Sequence, residues 1–288
     1  MRSRLPAPVF PKMQESDAGL RHSSPAGHGP LGTRMSSSSS PWLVWHRRNP
    51  DARLRLFCFP YAGGSATIFR NWHTKLQTDL EIIAIELPGR GSRINEAAYD
   101  RLKPIIEAAA PAIIPHLTKP YVFFGHSMGA LLSFEMARYL RRHHPHVLAP
   151  SHLFVSGRSA PQCDKERLLL HTLAEPDLVR EIRRLNGTPA EILADPELME
   201  LVLPLLRSDF AVYDTYVYEH DEPLSCPISA YAGLQDREMT RAEVKAWGEQ
   251  TSGAFRISMF PGDHFFIHAD ERLLLQTLAR ELREAASR

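Results

Sequence analysis

The chain has 288 residues, of which 43% are hydrophobic and 23% charged, and its formal net charge is +1. This composition belongs to a globular domain large enough to bury a substantial core, and the charge balance gives no footing for nucleic acid or an anionic membrane surface. No apolar run reaches the roughly 20 residues needed to cross a bilayer, and Cys58, Cys163 and Cys226 have no C-x-x-C spacing from which to build a zinc or redox motif.

Residues 1–40 are rich in Pro, Ser, Gly and Arg, end in a serine run, and have too few aliphatic residues to build a core. Residues 1–41 are therefore expected to be a disordered extension preceding one domain over 42–288. The stretch has no apolar segment of the secretory type, and Glu15, Asp17 and the prolines argue against a transit peptide. Met35, directly before the structured part, is expected to be the native start.

From Trp42 onward, strands and helices alternate. Residues 54–59 read as a strand, stopped by Pro60 and the Gly63-Gly64 turn. Residues 68–80 read as helical, and 82–85 as a second strand ended by Pro88-Gly89. Residues 102–117 read as a helix that Pro111 and Pro115 should kink or shorten. Residues 121–124 form a strand that runs into Gly125-His126-Ser127-Met128-Gly129, and 130–142 form an apolar-periodic helix. A strand over 153–155 follows. The interval to the next strand at 228–232 is too long for a plain connection. Its leucine-rich segments at 178–185 and 197–206 read as helices, with Asp177 and Asp195 near their starts, so a helical lid is expected over about 162–225. A last strand over 255–260 and a closing amphipathic helix over 271–284 complete an α/β domain. Its continuous apolar strands imply a mostly parallel sheet with helices on both faces.

The Gly-x-Ser-x-Gly run lies between a strand and a helix, the context a nucleophile elbow requires. Glycines flank Ser127 because the turn leaves no room for side chains. The turn lifts the hydroxyl above the sheet and aims a helix N-terminus at it, where the Met128 N–H can hold an oxyanion. His126 is read as a packing or orienting residue.

A serine nucleophile needs a base and an orienting acid, which follow it along the chain as acid and then histidine in enzymes with this elbow. Among 14 histidines, His264 lies in Pro261-Gly262-Asp263-His264-Phe265-Phe266 just beyond the last strand, on the edge of the sheet that carries the elbow. His116, His143, His144 and His146 fall on a helix or its exit, and His268 lies farther past the loop. Asp236 follows the strand at 228–232 through Gly233-Leu234-Gln235 on the same edge. Asp263 adjoins His264, but neighbouring side chains on an extended backbone point apart. A second oxyanion donor belongs to the loop after the first long strand, Pro60-Tyr61-Ala62-Gly63-Gly64-Ser65, and Ala62 N–H is chosen for it.

With these residues in place, the chain resembles the type II thioesterases, the stand-alone editing enzymes of polyketide and nonribosomal peptide assembly lines, within the α/β-hydrolase superfamily. The resemblance spans about residues 42–282. It rests on ordered blocks at 57–65, 87–93 (Leu87-Pro88-Gly89-Arg90-Gly91-Ser92-Arg93), 125–130, 207–210 (Arg207-Ser208-Asp209-Phe210), 226–228, 233–236 and 262–266. Glu86 and Ser208 depart from the pattern, and the first forty residues have no counterpart in it. The resemblance implies hydrolysis of acyl groups from the phosphopantetheine arm of acyl or peptidyl carrier domains. Ser127, Asp236 and His264 would form the triad, with Ala62 and Met128 at the oxyanion hole and no metal or organic cofactor. A cytoplasmic enzyme, expected to be monomeric, is the accompanying expectation, and the three scattered cysteines are read on their own spacing as free buried thiols of a reducing cytosol.

Other readings remain beside it: a carboxylesterase or lipase-like hydrolase, a medium-chain acyl-carrier thioesterase of fatty acid synthesis, or a non-catalytic binding member. Arg180, Arg183 and Arg184 are read first as a solvated helix face and second as a contact for an acidic carrier.

Overall fold

The computed structural model describes residues 40–76, 79–163 and 168–286. The N-terminal extension up to residue 39 and the expected start at Met35 lie outside the described residues. Among the described residues, seven strands form one sheet: β1 (Leu43–Val44), β2 (Leu54–Phe59), β3 (Leu80–Ile85), β4 (Tyr121–His126), β5 (His152–Ser156), β6 (Ile228–Gly233) and β7 (Phe255–Phe260). Their spatial order is β1-β3-β2-β4-β5-β6-β7. All pairings from β3 to β7 are parallel, and only the two-residue β1 runs antiparallel, on β3. A strand that short carries no periodicity of its own, so sequence pattern did not reveal it.

Alternate side chains of the central strands enter two separate apolar layers. Phe57, Phe59, Tyr121 and Phe123 pack with helix α2 (Leu102–Ile113) and helix α3 (Met128–His143). Leu56, Cys58, Val122 and Phe124 pack on the other side, with Phe69, Trp72 and the C-terminal helix α9 (Glu271–Ala286). Covering on both faces explains why these strands are apolar throughout.

The expected helix over 68–80 is replaced by a 3-10 turn (Ala66–Phe69) and a single helical turn, α1 (Trp72–Lys75). Burial of Phe69 and Trp72 anchors these turns to the sheet, and Leu76 turns extended to lead the chain into β3. Tertiary packing here overrides the helical pattern. Helix α2 accommodates Pro111 and gives way to a 3-10 turn at Ile114–His116 that carries Pro115, the shortening expected of the prolines.

The long insertion is helical: α4 (Glu175–Leu185), α5 (Ala190–Ala194) and α6 (Pro196–Asp214). Asp195 caps α6 by accepting from Glu197 N–H at 2.9 Å and Leu198 N–H at 3.2 Å. Asp177 lies inside the first turn of α4, and Ala174 is its N-cap. Leu178, Ile182, Met199, Leu203, Leu206 and Phe210 form the lid's own apolar cluster. Between β6 and β7 runs α7 (Arg241–Lys245), started by a Thr240–Glu243 capping box. After β7 comes the short α8 (Phe266–Ala269).

Candidate active site

The strand-to-helix turn at Ser127 has the geometry its glycines foretell. Ser127 takes φ 53° and ψ −115°, a strained conformation for a residue with a Cβ. The Ser127 N–H donates to Ser156 O on the neighbouring strand at 2.7 Å, which helps hold the turn. A Cβ on Gly125 would lie 2.0 Å from Gly129 O, and one on Gly129 would lie 2.1 Å from Phe59 O. The tightness that raises Ser127 above the sheet therefore forbids any other residue at either flank.

The loops after β6 and β7 meet at this turn. His264 Nε2 lies 3.0 Å from Ser127 Oγ, and His264 Nδ1 lies 2.8 Å from Asp236 Oδ2. The Asp236 side chain is 1% exposed and that of His264 12%. An ionised carboxylate only accepts, so Nδ1 carries the imidazole proton and Nε2 is left to accept from the serine hydroxyl. The second Asp236 oxygen accepts from Glu238 N–H at 2.8 Å. The two loops are joined directly: Gln235 N–H donates to Gly262 O at 2.9 Å, and Gly262 N–H donates to Gln235 Oε1. A Cβ on Gly233 would meet Asp263 O at 2.3 Å, so this residue too must be glycine.

The rival residues point elsewhere. Asp263 accepts from Asn186 Nδ2 at 3.0 Å and from Phe265 N–H at 2.9 Å. His268 Nε2 lies 2.7 Å from Tyr61 Oη. Burial pushes the Tyr61 phenol up to about 12 and the His268 imidazole down, so both partners of this contact are uncharged. His126 is fully buried, its Nδ1 lies 2.9 Å from Ser156 Oγ, and its ring lies 5.4 Å from that of His264. Burial, reinforced by the nearby His264 and His268, holds His126 well below the usual imidazole range. It is a neutral packing partner of the histidine loop.

Ala62 and Met128 line the same pocket as Ser127 and His264. Met128 opens α3, where first-turn N–H groups lack intrahelical acceptors. In the facing loop, Gly63 N–H donates to Asp209 and Gly64 N–H to Tyr61 O. Among the described residues, Ala62 N–H has no acceptor. The pocket's empty volume, mouth included, is about 800 Å³. Leu170, Ile182, Leu206, Phe210, Tyr213 and Met239 give it an apolar wall suited to an acyl chain.

Several contacts of this site were not legible in the sequence. Lid helix α4 is fastened to the loops bearing Asp236 and His264. Arg184 ion-pairs with Glu238 at 2.6 Å, Asn186 holds Asp263, and a Cβ on Gly187 would lie 2.1 Å from Phe265 Cζ. Helix α6 reaches the opposite loop through Asp209, which binds both Arg90 and Gly63. Asp209 and Arg90 sit in blocks the family pattern marked without giving them a role. The available signal was a carboxylate on the lid helix beside apolar positions 206 and 210, which requires a buried partner. The three arginines of α4 are engaged locally: Arg180 with Asp177, Arg184 with Glu181 and Glu238, and Arg183 with Leu193 O.

A family model described as Thioesterase domain matches residues 54–285. The chain is 42% identical over 247 residues to the gramicidin S biosynthesis protein GrsT of Aneurinibacillus migulanus, covering 86% of this chain and 96% of that protein. Among solved structures, it is similar to RedJ, a thioesterase from the prodiginine biosynthetic pathway in Streptomyces coelicolor. That match has 40% identity and a TM-score of 0.75, covering 80% of this chain and 86% of RedJ. It is also similar to BorB, the type II thioesterase from the borrelidin biosynthetic cluster, with 33% identity, a TM-score of 0.77, and coverage of 85% and 98%.

Proposed function

We infer how this protein works from the premise that the chain belongs to the thioesterase family, in the type II branch serving polyketide and nonribosomal peptide biosynthesis. It is an editing thioesterase that removes stalled or aberrant acyl groups from the phosphopantetheine arms of acyl and peptidyl carrier domains.

The proposed catalytic residues are Ser127, His264 and Asp236, and the observation that carries the proposal is their unbroken hydrogen-bond chain beneath an apolar pocket. His264 Nε2 takes the Ser127 proton as Oγ attacks the thioester carbonyl. Asp236 holds Nδ1–H and stabilises the imidazolium that forms. The oxyanion is received by Met128 N–H and Ala62 N–H, and loss of one such donor typically costs about 10²–10³ in rate. Collapse of the tetrahedral intermediate breaks the C–S bond, and the pantetheine sulfur leaves with the proton from His264. Water then attacks the acyl-Ser127 ester, giving its proton to His264, and the acid is released as Ser127 recovers its hydrogen.

The proposed domain runs over 42–288, with the lid at about 162–225 supplying the acyl wall. Among the described residues, no helix is long and apolar enough to cross a membrane. A cytoplasmic location is proposed, supported by the free, buried thiols of Cys58 and Cys226. The test is a comparison of kcat/KM for an acyl group on a carrier's phosphopantetheine arm with that for the matching oxygen ester. The carrier thioester should be preferred, and a preference for the oxygen ester would move the protein among carboxylesterases.

A further inference from the structure

The loop bearing the proposed oxyanion donor Ala62 is a turn over residues 61–64. Gly64 N–H donates to Tyr61 O at 2.9 Å, and Gly63 has φ +75°. A positive φ at the third residue is the mark of a type II turn, in which the central peptide is flipped relative to type I. That central peptide carries Gly63 N–H, and Asp209 Oδ2 accepts this proton at 2.7 Å. A Cβ at Gly63 would fall 2.6 Å from Leu206 Cδ2, so the turn lies directly against α6.

Asp209 is itself held by Arg90. Arg90 Nη1 lies 2.7 Å from Asp209 Oδ2, and Nη2 lies 2.8 Å from Oδ1, a two-pronged pair whose side chains are 4% and 1% exposed. The same guanidinium donates to Gly64 O at 3.3 Å and to Pro88 O at 3.2 Å. A buried ion pair is often no more stabilising than apolar side chains of the same shape. Apolar side chains could not, however, accept Gly63 N–H or donate to Gly64 O.

We propose that the Arg90–Asp209 pair is a positioning device that sets the 61–64 turn, and with it the direction of Ala62 N–H, from lid helix α6. The peptide plane holding Ala62 N–H also holds Tyr61 C=O, and in a trans peptide the two point in opposite directions. Keeping Tyr61 O on Gly64 N–H therefore aims Ala62 N–H away from the turn. Asp209 stabilises the flipped central peptide, and Arg90 fixes the Gly64 end. At the other end, His268 holds the Tyr61 ring. Without Asp209, Gly63 N–H loses its acceptor and the central peptide is free to flip. Neither Arg90 nor Asp209 touches the reacting atoms; they act through the loop.

This inference rests on the proposed catalytic site, and the test separates the two. The double variant Arg90→Met/Asp209→Leu keeps the buried volume and removes both charges, so it should melt close to wild type. Its kcat on an acyl-pantetheine thioester should fall about 10- to 100-fold, part of the loss expected for a whole oxyanion donor, with KM nearly unchanged. A trifluoromethyl ketone analogue, whose adduct with Ser127 places an oxyanion in the hole, should lose affinity by a similar factor. An uncleavable thioether analogue should bind as it does to wild type. Should the double variant not fold, Asp209→Ala, which also strips Gly63 N–H of its acceptor, is measured for the same ratio of the two affinities. A folded variant with kcat within about threefold of wild type, where a whole donor is worth far more, or equal weakening of both analogues, overturns the proposal. Ser127→Ala, run alongside, reports on the catalytic reading itself. If that variant remains active the reading of the site falls, whereas an inactive Ser127→Ala beside an unaffected double variant removes only the positioning role.

Discussion

Replacing Asp236 with Asn preserves the size of the side chain and removes one acceptor. Asp236 now accepts twice, from His264 Nδ1–H at 2.8 Å and from Glu238 N–H at 2.8 Å. The backbone donor cannot change its character, so the amide oxygen must face Glu238 and the amide NH₂ must face His264. A donor beside Nδ1 draws the imidazole proton to Nε2, and Nε2 then cannot accept from Ser127, 3.0 Å away. A wrong tautomer of this kind lowers kcat by about 10⁴, or roughly 5 kcal/mol in activation free energy. The side chain is 1% exposed, so water cannot substitute for the lost acceptor. The assay is thiol release from acyl-N-acetylcysteamine at saturating substrate, with the melting temperature as a folding control. Asp263→Asn is the companion variant. It loosens Asn186 and Phe265 N–H but leaves the tautomer intact, and should cost less than about tenfold. An Asp236→Asn variant that retains more than about a tenth of wild-type kcat, where about 10⁴ is expected to be lost, or an Asp263→Asn variant that is the more damaged of the two, rules out Asp236 as the orienting acid.

Burial holds His126 well below its usual pKa, and His116 and His268 are lowered for the same first reason. The unfolded chain then binds more protons than the native one below about pH 6.5, so stability falls with acidification, by up to about 1.4 kcal/mol per pH unit for His126 alone. Thermal melts should show a falling melting temperature as pH drops through that range, and a flat profile contradicts the assignment. The lid arginines predict a contrast in salt dependence. Since Arg180 and Arg184 already pair with their neighbours, exchanging Arg180, Arg183 and Arg184 for Gln should leave the salt slope of kcat/KM on carrier-bound substrate nearly unchanged. Loss of most of that slope would place the carrier against α4.

What the sequence made legible follows the range of the forces involved. Strands β2 to β6 announce themselves because a two-faced core demands largely apolar runs, and helix α3 does so by its apolar period. The elbow does so because steric exclusion at Gly125 and Gly129 leaves no other residue possible. Asp236 and His264 were reached through topology, since each follows a strand that ends on the same edge. The failures have the opposite character. The helix expected over 68–80 broke because Phe69 and Trp72 satisfy the sheet in two short turns. The contacts of Asp209 with Gly63 and of Asn186 with Asp263 join residues far apart in the chain. No local pattern encodes such contacts, and only a buried charge or a polar helix end hints that a partner must exist.

In the proposed mechanism Ser127 carries the acyl group between the carrier and water. The most direct measurement of this role is mass spectrometry of the intact protein after reaction with a fluorophosphonate or rapid quenching from an acyl-pantetheine thioester, comparing wild type with Ser127→Ala. A single adduct on Ser127 is expected in wild type. The variant should be folded, unlabelled and slower by about 10⁴–10⁶, as removal of a serine nucleophile typically produces. An adduct on another residue, or a Ser127→Ala variant with more than about a tenth of wild-type turnover instead of that loss, would contradict it.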